Sequence, residues 1–160
     1  IDDGAGNATF AGTITASNMP QAKAVQTYRD VRNFSAGVLV NGNQSPNIDA
    51  LTVNIPGPGV LILRGSIQVR LSYGADSSTY AYFKLEETTG GPSVVLNESA
   101  SGGWANSLAN IEHASVIVVE WVLPVTAGTR SFKTSLFNNS SVGIRYFSTS
   151  LTATFMPGGL

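Results

Sequence analysis

After Tyr28, apolar and polar positions alternate with period two in short segments separated by turn residues, the pattern of β-strands. Val60 to Leu71 alternates most cleanly. Leu61, Leu63, Ile67, Val69 and Leu71 fall on one face, and Arg64, Ser66, Gln68 and Arg70 on the other. Tyr80 to Glu87 turns Ala81, Phe83 and Leu85 inward and Tyr80, Tyr82, Lys84 and Glu86 outward. Phe34–Val40, Leu51–Ile55, Ser93–Asn97 and Thr129–Phe137 read as further strands, the last with Phe132, Thr134 and Leu136 on one face. Val142 to Met156 is a long final strand. Its apolar set changes from Val142, Ile144 and Tyr146 to Phe147, Leu151, Ala153 and Phe155, which predicts a bulge near Tyr146. NGNQSPN after Val40, PGPG at 56–59 and Ala127-Gly128 punctuate the series as turns, and Glu98 to Glu112 reads as a long loop.

One stretch breaks the alternation. In Ala114 to Val125, ASVIVVEWVLPV, one face carries Ile117, Val119, Trp121, Leu123 and Val125, while the other carries Val116, Val118 and Val122. The β-branched run and Pro124 disfavour a helix. A strand apolar on both faces needs two covers, and a second copy of the chain is the simplest second cover. The expectation is a central strand of an oligomeric domain, with Val116, Val118 and Val122 at the contact between copies and Phe10 and Tyr146 as further candidates. Eight or so strands with turns at short intervals predict an all-β fold, an antiparallel β-sandwich of the jelly-roll kind.

Residues 1–19 differ from the rest. IDDGAGNATFAGTITASN is polar and Gly-rich, with too few apolar side chains to fold alone, and it would gain order by pairing with copies of itself. We therefore divide the chain into a lead-in, 1–19, and a head, 20–160. The first residue is Ile rather than Met, which suggests a fragment or a processed product.

Composition narrows the function. Charged residues make up 12% of the 160, about half the usual ~25%, and the formal net charge is −1. The Lys and Arg residues are scattered, so no electrostatic footprint for nucleic acid is present, and no apolar run is long enough for membrane insertion. Without cysteine there are no disulfides or thiolate metal ligands.

Two parts of the chain, the lead-in and the head, resemble a known family. Asp3 to Asn18, DGAGNATFAGTITASN, resembles the intertwined neck that precedes receptor-binding heads in bacteriophage tail fibres and host-specificity proteins. LTVNIPGPGVLILRGSIQVRL at 51–71 and VVEWVLPVTAGTRSF at 118–132, with the closing LTATFMPGG, resemble the trimeric jelly-roll heads of the C1q and tumour-necrosis-factor type in which such fibres end. The resemblance implies a homotrimer with the doubly apolar strand near the threefold axis. It further implies a place on the virion, outside the cell, and attachment to a bacterial surface glycan (capsule or lipopolysaccharide) or to an outer-membrane protein. A C-terminal trimerisation cap of a larger tailspike, with its enzymatic domain upstream, is the structural alternative.

Candidate chemistry is sparse. His113 is the only histidine, so a Ser-His-Asp triad would have to use it, beside Glu112. Glu86 and Glu87 point to opposite faces of a strand and cannot serve together as a glycosidase pair. Asp49, Asp76 and Glu98 could donate to a metal only by converging from distant segments, and PGPG is too short for a phosphate loop. No catalysis, metal or cofactor is expected. Binding has better support. Trp104 and Asn106 in GGWANS join an indole that can stack on a sugar ring to an amide that can bond its hydroxyls. Tyr73 with Asp76, and the outward pair Tyr80 and Tyr82, form a second candidate surface. Arg64, Arg70 and Arg145 read as solvated strand residues.

Overall fold

The computed structural model describes residues 25–73, 77–105, 111–140 and 142–158. They form eight strands: β1 (Gln26–Val40), β2 (Asn47–Ile55), β3 (Gly59–Tyr73), β4 (Ser77–Glu87), β5 (Val94–Ala105), β6 (Ile111–Val125), β7 (Gly128–Asn138) and β8 (Ile144–Pro157). Two four-stranded sheets face each other, sheet I in the order β1-β8-β3-β6 and sheet II in the order β2-β7-β4-β5, with every pairing antiparallel. This is the all-β jelly-roll sandwich that the alternation predicts.

The core is the set of inward positions of both sheets. Leu61, Leu63, Ile67, Val69 and Leu71 of β3 meet Phe83 and Leu85 of β4, Phe132 and Leu136 of β7, and Leu151, Ala153 and Phe155 of β8, all of them buried. Each large side chain so buried contributes roughly 1.5–3 kcal/mol, and this lets a sandwich without disulfides hold together.

Four expectations change. The strand at 114–125 is the outer strand of sheet I within one chain, not a central one. Ile117, Val119, Leu123 and Val125 enter the core, but Trp121, inward by parity opposite Leu63, stays largely exposed because no strand lies beyond β6. The segment 98–105 is strand rather than loop, since β5 continues to Ala105 against Ser77. Tyr146 is a core residue, edge-on to Phe34 with ring centroids 5.5 Å apart, and it is withdrawn from the contact between copies. The reason is the bulge. Gln68 pairs with Ser148 but Val69 with Tyr146, so Phe147 is the extra residue and Tyr146 turns inward. On the other side of β8, Asn33 pairs with Ser148 and Val38 with Tyr146, so residues 34–37 swell out opposite the same phenylalanine. Arg70 and Arg145 are the fourth revision, taken up with the cavity they line. Phe10 and the rest of the lead-in, 1–19, lie outside the described residues.

A buried polar clasp joins the sheets. Asp49 of β2 accepts a hydrogen bond from Thr149 Oγ1 of β8 at 2.8 Å and a longer one from Thr134 Oγ1 of β7 at 3.4 Å, with Arg32 Nε of β1 at 3.6 Å. Burial pushes the Asp49 carboxyl above its ordinary range, with Asp30 adding to the effect, while Thr149, Arg32 and Thr134 pull the other way.

Candidate functional site

The registers place the ends of the strands at two poles. Gln26 stands beside Phe155, and Gly59 beside both Val125 and Pro157, so the chain enters and leaves the sandwich at one pole. At the other pole Val40 stands beside Ile144, Tyr73 beside Ile111 and Ser77 beside Ala105. β3 runs the whole way between them, about 46 Å for 15 extended residues. The far pole therefore lies opposite the end at which β1 begins and β8 finishes.

Of the residues singled out for binding, Tyr73, Trp104 and Tyr80 lie towards this far pole, and Tyr82 stands at the middle of β4. Tyr73 ends β3, and Trp104 lies in β5 with its backbone opposite Ser78; the side chains of both, and the whole of Asp76 and Asn106, lie outside the described residues. Tyr80 and Tyr82 are on the solvent face of sheet II, ring centroids 6.5 Å apart, and Phe137 of β7 extends the row at 6.1 Å from Tyr82. The cross-strand partners of the two tyrosines on β5 are Gly102 and Ala100, so no bulky side chain rises beside them. A Cβ at Gly102 would run into the Thr79 carbonyl and the Tyr80 ring, which explains why the smallest residue stands there. Lys84, held by Glu98 at 3.0 Å, sits over the Phe137 ring at 5.9 Å and closes the strip with a charge pair. The result is a shallow aromatic strip with hydroxyls at its edges, on β4 and β7, the two inner strands of sheet II.

The pole is braced from beneath. Asn138, fully buried, donates from Nδ2 to the Val40 carbonyl at 3.1 Å and the Val142 carbonyl at 2.7 Å, tying the β1–β2 and β7–β8 connections together. Asn139 N–H donates to the Tyr80 carbonyl at 3.0 Å, which ties the same turn to the strip.

The solvent face of sheet I has a different character. Its rows read Met156–Val60–Pro124, then Thr154–Ile62–Val122, then Thr152–Arg64–Glu120, then Ser150–Ser66–Val118, then Ser148–Gln68–Val116. Val116 is 65% exposed and Val122 60%, with Val118, Val60, Ile62 and Met156 also exposed. The three valines of the predicted contact thus share this face with Val60, Ile62 and Met156, among serine, threonine and glutamine positions and the Arg64–Glu120 pair at 3.1 Å.

A cavity of about 330 Å³ lies at the far end of this face, lined by Ser35, Leu39, Arg70, Arg145 and Phe147 among others. Arg70 and Arg145 are not simply solvated strand residues, as the sequence suggested. They are direct cross-strand neighbours, Arg70 stacks on Phe147 at 5.0 Å, and Arg145 donates to the Ala36 carbonyl at 3.4 Å. Arg64 does fit the sequence reading, as half of an exposed pair. Nothing local in the sequence marks the cavity, because it forms where a bulge on β8 meets a swelling on β1.

Among the described residues, those considered for catalysis and metal binding do not assemble; Asp76 and the side chain of Glu112 lie outside them. His113 lies exposed in β6 opposite Leu71. Asp49 is committed to the clasp and Glu98 to Lys84. Among the described residues, no three His, Asp or Glu side chains converge.

No family model matches the sequence, and no curated protein matches it. Solved structures do. The Eiger tumour-necrosis-factor protein of S. frugiperda superposes with a TM-score of 0.52 at 12% identity, over 85% of this chain and 95% of that one. A structure of the Gx strain of infectious bursal disease virus gives 0.53 at 12% identity, over 84% of this chain but 33% of the viral one. At such identities the likeness is one of fold, and the fold is the jelly roll shared by a TNF-like protein and a viral particle protein.

Proposed function

We propose that this chain is the receptor-binding tip of a bacteriophage tail fibre, a homotrimer on the virion that attaches to a bacterial surface polysaccharide by binding alone. The observation that carries the reading is the Tyr80–Tyr82–Phe137 strip on the solvent face of sheet II, which runs from the middle of the sheet towards the pole opposite the start of β1. Aromatic faces stack on the apolar faces of sugar rings, and phenol and lysine groups reach the hydroxyls. A shallow site of this kind binds weakly per copy, but several copies on one virion raise avidity by about 10²–10⁴.

The trimer draws support from Val60, Ile62, Val116, Val118, Val122 and Met156, which the solvent face of sheet I leaves exposed in a single chain. The same rows would equally serve a trimerisation cap of a larger tailspike, so the two readings part at the receptor.

The test is adsorption of the purified, labelled protein to a panel of bacteria before and after surface polysaccharide is stripped. The adhesin reading expects strain-selective binding that stripping abolishes, and its loss in Tyr80→Ala and Tyr82→Ala. Selective binding that survives stripping assigns a protein receptor. A trimer by light scattering that adsorbs to nothing leaves the cap.

A further inference from the structure

The connection from β1 to β2, at the far pole, holds the only Asn-Gly pair in the sequence, Asn41-Gly42. Gln44 N–H donates to the Asn41 carbonyl at 3.3 Å, which closes residues 41–44 into a β-turn. Asn41 is exposed, and neither its side-chain amide nor the Gly42 N–H is hydrogen-bonded among the described residues. The other described asparagines are guarded. Asn43 precedes Gln44, whose N–H is engaged with Asn41, and Asn138 precedes Asn139, whose N–H is held by the Tyr80 carbonyl. Asn97 and Asn47 commit their side chains to the Glu120 carbonyl and to Lys133. Asn33 and Asn54 lie within strands and precede the bulky Phe34 and Ile55. Asn139 is the nearest rival, exposed and followed by Ser140. There a side chain stands beside the backbone nitrogen, whereas glycine leaves that nitrogen open to close approach.

We infer that Asn41 is a site of spontaneous deamidation, and that its conversion to isoaspartate loosens the far pole. The Gly42 nitrogen forms a bond to Asn41 Cγ and gives up its proton, and the side-chain nitrogen leaves as ammonia. A cyclic imide remains. Water opens that ring at either carbonyl. One opening gives aspartate. The other gives isoaspartate, in which the main chain runs through the side-chain methylene and the former main-chain carbonyl becomes the free carboxylate. The consequence follows from what the turn is tied to. Isoaspartate takes out of the main chain the carbonyl to which Gln44 N–H donates. It also lengthens the path from Val40, a core residue, to Asn43. Asn43 N–H donates to the Asn138 carbonyl at 2.8 Å, and Asn138 N–H donates to the Gln44 carbonyl at 3.0 Å. Asn138 in turn holds the Val40 and Val142 carbonyls. An extra methylene shifts one end of this short connection against the other, so these bonds lengthen. Aspartate keeps the path and adds only a charge. The chemistry is independent of any receptor, and so of the adhesin reading.

The test incubates the full folded chain in mildly alkaline buffer. Peptide mapping by mass spectrometry follows the loss of ammonia, and an isoaspartyl methyltransferase labels the rearranged product. Asn41 is converted before any other asparagine, to a mixture of aspartate and isoaspartate. Asn41→Gln, which would need a larger ring, and Gly42→Ala, whose methyl group hinders the attack, each slow conversion by about tenfold or more. Gly42 does not use the left-handed conformation, so alanine suits its backbone. The isoaspartate fraction, separated by ion exchange, exchanges amide hydrogens faster than the parent at 42–44 and 139–143, while Asn41→Asp does not. Conversion led by Asn139 or any other residue overturns the site. So does an Asn41 that stays intact in the folded chain but is converted in urea, since the turn then protects it. An unchanged rate in Gly42→Ala overturns the attack by that nitrogen. An isoaspartate fraction with the parent's exchange pattern overturns the link to the far pole.

Discussion

Replacing Asp49 isolates the clasp between the sheets. Asp49→Ala removes the acceptor of Thr149 Oγ1, a hydroxyl on a buried residue, and a donor left without a partner there costs about 1–3 kcal/mol. Thr134 loses less, because its Oγ1 still accepts from the backbone N–H of residue 49 at 3.2 Å. Arg32 keeps Asp30 at 2.9 Å and, being half exposed, adds little. With the space left by the carboxylate, the expected loss is about 2–4 kcal/mol. Asp49→Asn keeps an oxygen facing Thr149 and should lie within about 1 kcal/mol of the parent. The pair of variants also fixes a pH dependence. Burial raises the Asp49 carboxyl in the folded chain, so near pH 4 the folded state holds its proton more firmly than the unfolded one. The stabilisation this gives is complete below the unfolded value of about 3.9 and is lost as pH rises through the folded value. The parent should therefore lose ground to Asp49→Asn as pH increases from about 3.5 to 7. The assay is urea unfolding of all three proteins at one protein concentration across that range. A loss below about 1 kcal/mol for Asp49→Ala, or a parent-to-Asn difference that is flat or grows with pH, refutes the reasoning.

Other positions give sharp outcomes. Glu87 carries the opposite sign: burial pushes its carboxyl up, but the two-pronged contact from Arg130 at 2.7 and 2.6 Å, with Thr89, holds it below the ordinary range. Its contribution is present above the unfolded value of about 4.3 and lost as pH falls through the folded one, so the cost of Glu87→Gln in urea unfolding should shrink on acidification. Phe83→Ala empties a fully buried site facing both sheets and should cost about 3–5 kcal/mol in the same measurement. Asn138→Ala strands two carbonyls at the far pole; amide hydrogen exchange should quicken at 40–44 and 139–143 before it does in β3. Val122→Lys, on the solvent face of sheet I, should leave the fold intact by circular dichroism, and the proposed trimer predicts that light scattering then reads a monomer.

The fold was legible because strands with one solvated face write their burial into alternate letters. Leu61 to Leu71 and Ala81 to Leu85 are buried at the positions their spacing assigns. The bulge was legible too, within one residue, since β8 must change parity to keep both Ile144 and Phe155 in the core. Strand order was not: a strand apolar on both faces can be central, or it can be an edge strand with an apolar outer face, and periodicity is blind to the difference. β6 is the edge strand. The aromatic pair Tyr80 and Tyr82 could be read from one strand alone, whereas Phe137, Gly102 and Ala100 join it only through register. The Arg70–Arg145 pairing in register is of that second kind, a neighbour relation between residues far apart in the chain.

The strand pairings nest. β4 pairs with β5, β3 with β6, β2 with β7 and β1 with β8, like one long hairpin doubled over on itself. On the ribosome, the short connection at 88–93 lets β4 and β5 meet first, while β1, made earliest among these strands, waits for the last of them to emerge. β8 is also the strand that lies between β1 and β3. The four-stranded solvent face of sheet I is therefore completed only when β8 has been made and has inserted, and copies cannot join across its full width before that. The order of the strands makes assembly through that surface follow the folding of all eight.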